Sequence, residues 1–196
     1  MTDADPNLGI PSALRPTLPA WAKLTPARLQ HVQRVAELVA SWAEQLGVPA
    51  TEMHRWLKAV WLHDALRDAP VEELTYWAPS VDGPLELRHG HASAARAKAE
   101  GETDRGVLDA VRYHSIGLAE WDLAGRVLYC ADFLEPGRDF EPAERQALAE
   151  RFPADPRRVL VDVARLRMLH LIQSGWPIPA PTLRFWNALA GSAPQP

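Results

Sequence analysis

Proline and glycine cut this chain into helix-length segments, and within those segments the apolar residues recur at helical rather than strand spacing. Thr25-Pro26 reads as a helix start, with a capping hydroxyl followed by proline at the first helical position. Leu29, Val32, Val35, Ala36, Val39 and Ala43 then follow at helical spacing until Gly47 stops the run. Thr51 is expected to cap a second helix, which carries Met53, Trp56, Leu57 and Val60 and ends near His63-Asp64. A short helix follows from Pro70 to Trp77, then a loop with Pro79, Gly83 and Pro84. Further helices are predicted from His89 to Glu100, after the cap Asp104, from Leu123 to Leu134, and from Glu141-Pro142. Asp155-Pro156 caps what the pattern makes the longest helix, through Ser174, and a last short helix surrounds Phe185 to Leu189. No strand-period run competes. The fold class is therefore all-α: one domain over residues 21–196, its helices packed around a central site, preceded by a flexible Pro-rich arm over residues 1–20.

Composition narrows the function. The chain has 196 residues, of which 47% are hydrophobic and 23% charged, enough for one domain with a real core. A net charge of -4 argues against an electrostatic nucleic-acid binder. No stretch approaches the ~18 consecutive apolar residues of a membrane helix. The N-terminus lacks the charged and apolar regions of a secretory signal. Cys130 is the single cysteine, so no intrachain disulfide forms and a reducing cytoplasm fits.

His31, His63, Asp64, His89, His114 and Asp132 stand out. Apart from the adjacent pair, each lies on or at the end of a different predicted helix. Val60, Trp61 and Leu62 lead directly into His63-Asp64, His114 continues the stripe of Val107 and Val111, and Asp132 sits among Leu128, Tyr129, Cys130 and Phe133. A carboxylate there is costly to bury unpaired, and a bound cation would neutralise it. Imidazole plus carboxylate suits a first-row divalent ion, and helical bundles build metal sites from side chains on facing helices. On the residues alone, two readings stay open: metal ligands, or core histidines satisfied by the fold. His54 and His91 are read as exposed or rim residues, His170 as a helix-face histidine, Cys130 as a small buried side chain, and Trp77 and Trp121 as packing rather than base-stacking groups.

The order and context of these residues resemble the HD-domain phosphohydrolases, and within them the YqeK-like branch of symmetrical bis(5′-nucleosyl)-tetraphosphatases. The matching segments are HVQRVAELVASWAEQLGV from His31, AVWLHDALRD around His63-Asp64, RHGHASAARA around His89, VLDAVRYHSIG around His114, RVLYCADFLEPGRDF around Asp132, and the tail GWPIPAPTLRFWNALAG. Together they reach from about Pro26 to Ala190. The resemblance implies an HD-type helical bundle around a dinuclear metal centre. His31, His63, Asp64 and Asp132 would hold one ion, and His89 and His114 the other, with Asp64 bridging. The implied cofactor is a pair of divalent ions, iron first and manganese or another ion in substitution. The implied activity is central cleavage of diadenosine tetraphosphate to two ADP by a metal-activated water, with neither nucleic acid nor membrane as partner. Arg67 stands where the family's extended motif has lysine. It is expected to act in catalysis or on phosphate, and Arg138 on phosphate. SIGLAEWD after His114 departs from the commoner threonine- and glycine-rich version. The alternatives are an HD hydrolase of another nucleotide or phosphoester, and a di-iron oxygenase with a similar helical cage.

Overall fold

The computed structural model describes residues 17–81, 84–138 and 141–191. The arm expected over residues 1–20 lies, up to residue 16, outside the described residues. Among the described residues the secondary structure is all helical: α1 (Pro26–Gln45), α2 (Ala50–His63), α3 (Val71–Trp77), α4 (Arg88–Ala99), α5 (Arg105–Tyr113), α6 (Leu123–Leu134), α7 (Pro142–Arg151), α8 (Pro156–Gln173) and α9 (Ala180–Gly191). A 3-10 turn, Leu85–Leu87, leads into α4. No helix among them is long and apolar enough to cross a membrane.

Local chemistry explains most boundaries. The Thr25 hydroxyl accepts from the Arg28 N–H, the Asp104 carboxylate from Val107, and the Asp155 carboxylate from Arg158, each occupying a donor that the first helical turn leaves over. Gly47 ends α1 at φ 62°, a left-handed conformation that glycine takes without strain. Three expectations need correction. Thr51 does not cap α2, because Pro49 stands at the cap and the helix begins at Ala50. The longest helix is α1, with 20 residues against 18 in α8. The last helix is also longer than expected, because it starts at Ala180.

The core explains the placement of the site. α2 lies against α1, α4, α5 and α6. Val35, Val39, Trp56, Leu57, Val60, Val107, Val111 and Leu128 from these helices are all buried. Burying side chains of this size is worth about 1.5–3 kcal/mol each, so packing rather than propensity holds the helices together. α7 closes one flank through Trp42, which stacks on Phe152 at 3.9 Å and donates its indole N–H to the Ala149 carbonyl at 3.0 Å. α9 closes another through Phe185, set edge-on to Trp121 and Tyr129. The segment before α1 clasps the loop after α2. The Lys23 N–H donates to the Ala65 carbonyl at 2.7 Å, and the Thr25 N–H to the Asp68 carboxylate at 2.7 Å. The turn after His63-Asp64 is thereby fixed from outside.

Candidate metal centre

The bundle brings all six predicted ligands to one place. His31 comes from α1, His63 is the last residue of α2 and Asp64 its cap, His89 lies in the first turn of α4, His114 caps α5, and Asp132 lies in the last turn of α6. All six are buried. The Asp64 carboxylate sits between two groups of imidazoles. Its Oδ1 is 3.0 Å from His89 Nε2 and 3.6 Å from His114 Nε2. Its Oδ2 is 3.7 Å from His63 Nε2 and 3.8 Å from His31 Nε2. Asp132 Oδ1 lies 3.2 Å from His31 Nε2.

The outer ring nitrogens assign the tautomers. His63, His89 and His114 donate their Nδ1–H to the carbonyls of Val60 at 2.6 Å, Glu86 at 2.5 Å and Val111 at 2.8 Å. Each Nε2 is then an acceptor turned inward. His31 and His63 leave that nitrogen buried without a hydrogen bond. His89 and His114 set theirs 3.0 Å apart. Two acceptors at that distance cannot satisfy each other, whereas a shared cation can. The donor atoms of His31, His63 and Asp64, and again those of Asp64, His89 and His114, lie within 4.8 Å of one another. Imidazole nitrogen and carboxylate oxygen are the donors of first-row divalent ions, so the residues present fit such ions.

Electrostatics keeps His63 and His114 neutral and Asp64 charged, and sets His31 apart. Burial disfavours the charged form of Asp64, but the imidazoles of His63, His89 and His114 hold its pKa well below the usual carboxylate range. Burial and the neighbouring imidazoles push His114 down, and burial lowers His63. Burial also works against a charged His31, yet the carboxylates of Asp132 and Glu135 raise it from 6.5 to about 9.

Sequence reasoning missed an outer ring of charged groups. Glu135, only 2% exposed, takes the Nδ1–H of His31 at 3.1 Å and is itself gripped by Arg34 Nε at 2.5 Å. Arg167 from α8 donates to Asp132 Oδ2 at 2.9 Å and lies over the Tyr129 ring. Arg28 donates to Asp64 Oδ2 at 3.0 Å. The sequence offered a faint signal for Glu135, which lies in the EPGR segment, and for Arg28, one helical turn before His31. Nothing local marks Arg167.

An open cleft of about 550 Å³ reaches His31 between Thr25, Arg28, Asp68, Glu135 and Arg138. Arg138 stands at its edge, donating to the Asp132 carboxylate at 2.7 Å and carbonyl at 2.9 Å. Arg67 faces elsewhere. Its Nη1 donates to the Glu86 carbonyl at 2.7 Å and lies 3.1 Å from His89 Nδ1, behind the ring rather than before its Nε2. Cys130 is fully buried, and burial pushes its thiol up. Trp121 is buried against Tyr129 and Phe185, and Trp77 lies half-buried under the Arg96 guanidinium. His170 is exposed beside Trp176. His91 packs edge-on against Tyr113, and both it and His54 are half-buried rather than exposed.

Comparison with known proteins adds to this geometry. The HD domain family matches residues 28–137, a stretch that contains all six candidate ligands. A symmetrical bis(5′-nucleosyl)-tetraphosphatase of Bacillus subtilis (strain 168) is 28% identical over 180 residues, covering 87% of this chain and 94% of that protein. Its counterpart from Halalkalibacterium halodurans is 28% identical over 105 residues, covering 53% and 55%. A crystal structure from Clostridium acetobutylicum, described as a predicted HD superfamily hydrolase involved in NAD metabolism, shares the fold. Its TM-score is 0.75 at 22% identity, over 87% of this chain and 92% of that one.

Proposed function

Since the chain belongs to the HD-domain family and is a hydrolase of that family, we propose that it cleaves diadenosine tetraphosphate symmetrically, giving two ADP. One observation carries the reading. The Asp64 carboxylate has a group of imidazoles on each of its oxygens, beside a cleft edged by arginines. The curated relatives named for this reaction support the substrate.

His31, His63, Asp64 and Asp132 hold one divalent ion in this reading. His89 and His114 hold a second, with Asp64 shared between them. Iron is the first assignment and manganese a substitute, in keeping with an imidazole-rich donor set. Ions bound there supply Lewis-acid charge and a water activated near neutral pH. The chain's own residues do the rest. Arg28 and Arg138 place positive charge at the cleft and draw in the polyphosphate. The carbonyls behind His63, His89 and His114 hold those rings in one tautomer. Arg67 orients His89 through the carbonyl they share, so phosphate contact falls to Arg28 and Arg138. Water adds to one of the two central phosphorus atoms, and the bridging oxygen leaves with the other ADP. A cytoplasmic location belongs to the same reading, supported by the lone buried thiol of Cys130.

The test is product analysis after incubating metal-loaded protein with diadenosine tetraphosphate. ADP as the sole nucleotide product is expected. ATP plus AMP would overturn central cleavage. No turnover by protein shown to hold metal would move the substrate to another nucleotide or phosphoester.

A further inference from the structure

The four inward histidines are not held alike. His63, His89 and His114 each donate Nδ1–H to a neutral carbonyl three residues earlier. His31 sits inside α1, where the carbonyls of the preceding turn are occupied by helix hydrogen bonds, so its outer partner must come from another element. That partner is Glu135, at the cap of α6. Glu135 is a buried carboxylate with its own clamp: Arg34 Nε at 2.5 Å and the Gly137 N–H at 2.8 Å both meet its Oε2. Gly137 leaves room for this clamp, because a Cβ there would lie 2.2 Å from Arg34 Nε. On the opposite side of the centre, the outer nitrogen of His89 has a cation beside it, the Arg67 guanidinium at 3.1 Å.

We propose that Glu135 is a positioning residue that acts through His31 and makes the His31 side the tighter of the two ion positions. The inference rests on the two-ion reading above. A carboxylate drawing on Nδ1–H raises the electron density at Nε2 and fixes the ring plane more firmly than a carbonyl does. Its charge is shared with the Arg34 guanidinium, so it acts on His31 through the hydrogen bond rather than as a free negative charge. The Arg67 guanidinium beside the outer nitrogen of His89 offers it no acceptor, whereas the guanidiniums on the His31 side, Arg28, Arg138 and Arg167, meet carboxylates and leave the His31 ring to Glu135. Arg34, Glu135 and His31 thus form a chain from the surface to the His31 ion position, with no counterpart on the other side among the described residues.

The experiment is Mn²⁺ titration of the chelator-stripped full chain, followed by calorimetry and by metal analysis after equilibrium dialysis. Wild type, Glu135→Ala, Glu135→Gln and His114→Ala are compared. Wild type is expected to take up two ions in two affinity classes, and H114A to lose the weaker class alone. E135A is expected to weaken the tighter class ~10–100-fold, the usual effect of removing a partner behind a ligating histidine, and to leave the weaker class as it was. E135Q, which keeps an acceptor and loses the charge, is expected to fall between the two. Because E135Q is close in shape, it carries the test if E135A melts below the assay temperature. Two classes unchanged in E135Q and E135A would overturn the inference and leave the two-ion reading standing. So would a loss confined to the class that H114A removes, or two equal classes in wild type. Wild type that takes up no Mn²⁺ would overturn both.

Discussion

Gly90 lies between His89 and His91, and replacing it with alanine tests how closely α4 and α5 must approach to form the His89–His114 pair. A Cβ at Gly90 would stand 2.9 Å from the Val111 carbonyl oxygen, 3.0 Å from that of Arg112 and 3.1 Å from His114 Cε1. Two of these neighbours are backbone, so no side-chain rotation relieves the clash. Ordinary contact begins at 3.4 Å, so the end of α5 must retreat by roughly half an ångström. The Val111 carbonyl also receives the His114 Nδ1–H, so the retreat carries the ligand with it. Overpacking of this kind costs ~1–3 kcal/mol, against a gain of up to ~1 kcal/mol from alanine's better helix propensity. A net loss of about 1–2 kcal/mol lowers Tm by ~2–8 °C for a chain of this length. The effect on function should exceed that on stability. A misplaced ligand costs up to ~10²-fold in rate when the displacement approaches 1 Å, whereas the His31 side is untouched. The assay pairs thermal melting with Mn²⁺ stoichiometry and turnover. Gly90→Ala with wild-type Tm, both ions bound and unchanged kcat would refute the argument that this glycine sets the distance between the two histidines.

Three further expectations follow from the same geometry. His89→Ala and His114→Ala should each abolish hydrolysis of diadenosine tetraphosphate, and full turnover in both would sink the two-ion mechanism. Arg28→Ala should lower kcat/KM ~10–100-fold, the equivalent of one charge-assisted contact of about 1.5–3 kcal/mol, and steady-state kinetics equal to wild type would remove Arg28 from the polyphosphate path. Hydrogen bonds from Arg55 depress the Asp104 pKa to about 2, so its carboxylate stabilises the fold above its unfolded value of 3.8 and stops doing so as pH falls toward 2. Allowing for solvent screening, Asp104→Ala should cost about 1–2 kcal/mol at pH 7 through the lost cap and ion pair, with the gap to wild type closing between pH 4 and pH 2; a pH-independent gap in melting curves would contradict this.

The helix starts that could be read from sequence are those whose chemistry is local. Thr25, Asp104 and Asp155 each cap with their own side chain within three residues. Thr51 misled because a capping residue type near a turn is no cap once Pro49 has already begun the helix. The inward ligands were legible for a different reason. His63-Asp64, His114 and Asp132 each interrupt or end an apolar stripe, where a polar group needs a partner whatever the topology, and the family resemblance picked His89 over His91. Their outer partners were illegible because the contacts join distant segments: Glu135 meets His31 across 104 positions, and Arg167 meets Asp132 across 35. Arg67 shows the limit from the other side. Its charge and its distance from Asp64 could be read from sequence, but its direction, onto the Glu86 carbonyl behind His89, is set by the 3-10 turn before α4.

The arginines around the centre bear on whether ions are needed at all. Asp64 has Arg28, Asp132 has Arg138 and Arg167, and Glu135 has Arg34, so each buried carboxylate already meets positive charge. If charge were the only debt, the bundle would close without a metal. The imidazoles decide otherwise. The guanidiniums approach the carboxylates and supply nothing to His31 Nε2 or His63 Nε2, which stay without hydrogen bonds, nor to the facing pair at His89 and His114. Divalent cations, one at each of the two groups that share Asp64, would meet these nitrogens and accept from the same carboxylates. The two layers therefore divide the work: guanidiniums and carbonyls fix where each inward side chain points, and the nitrogens left unmet inside fit a divalent cation.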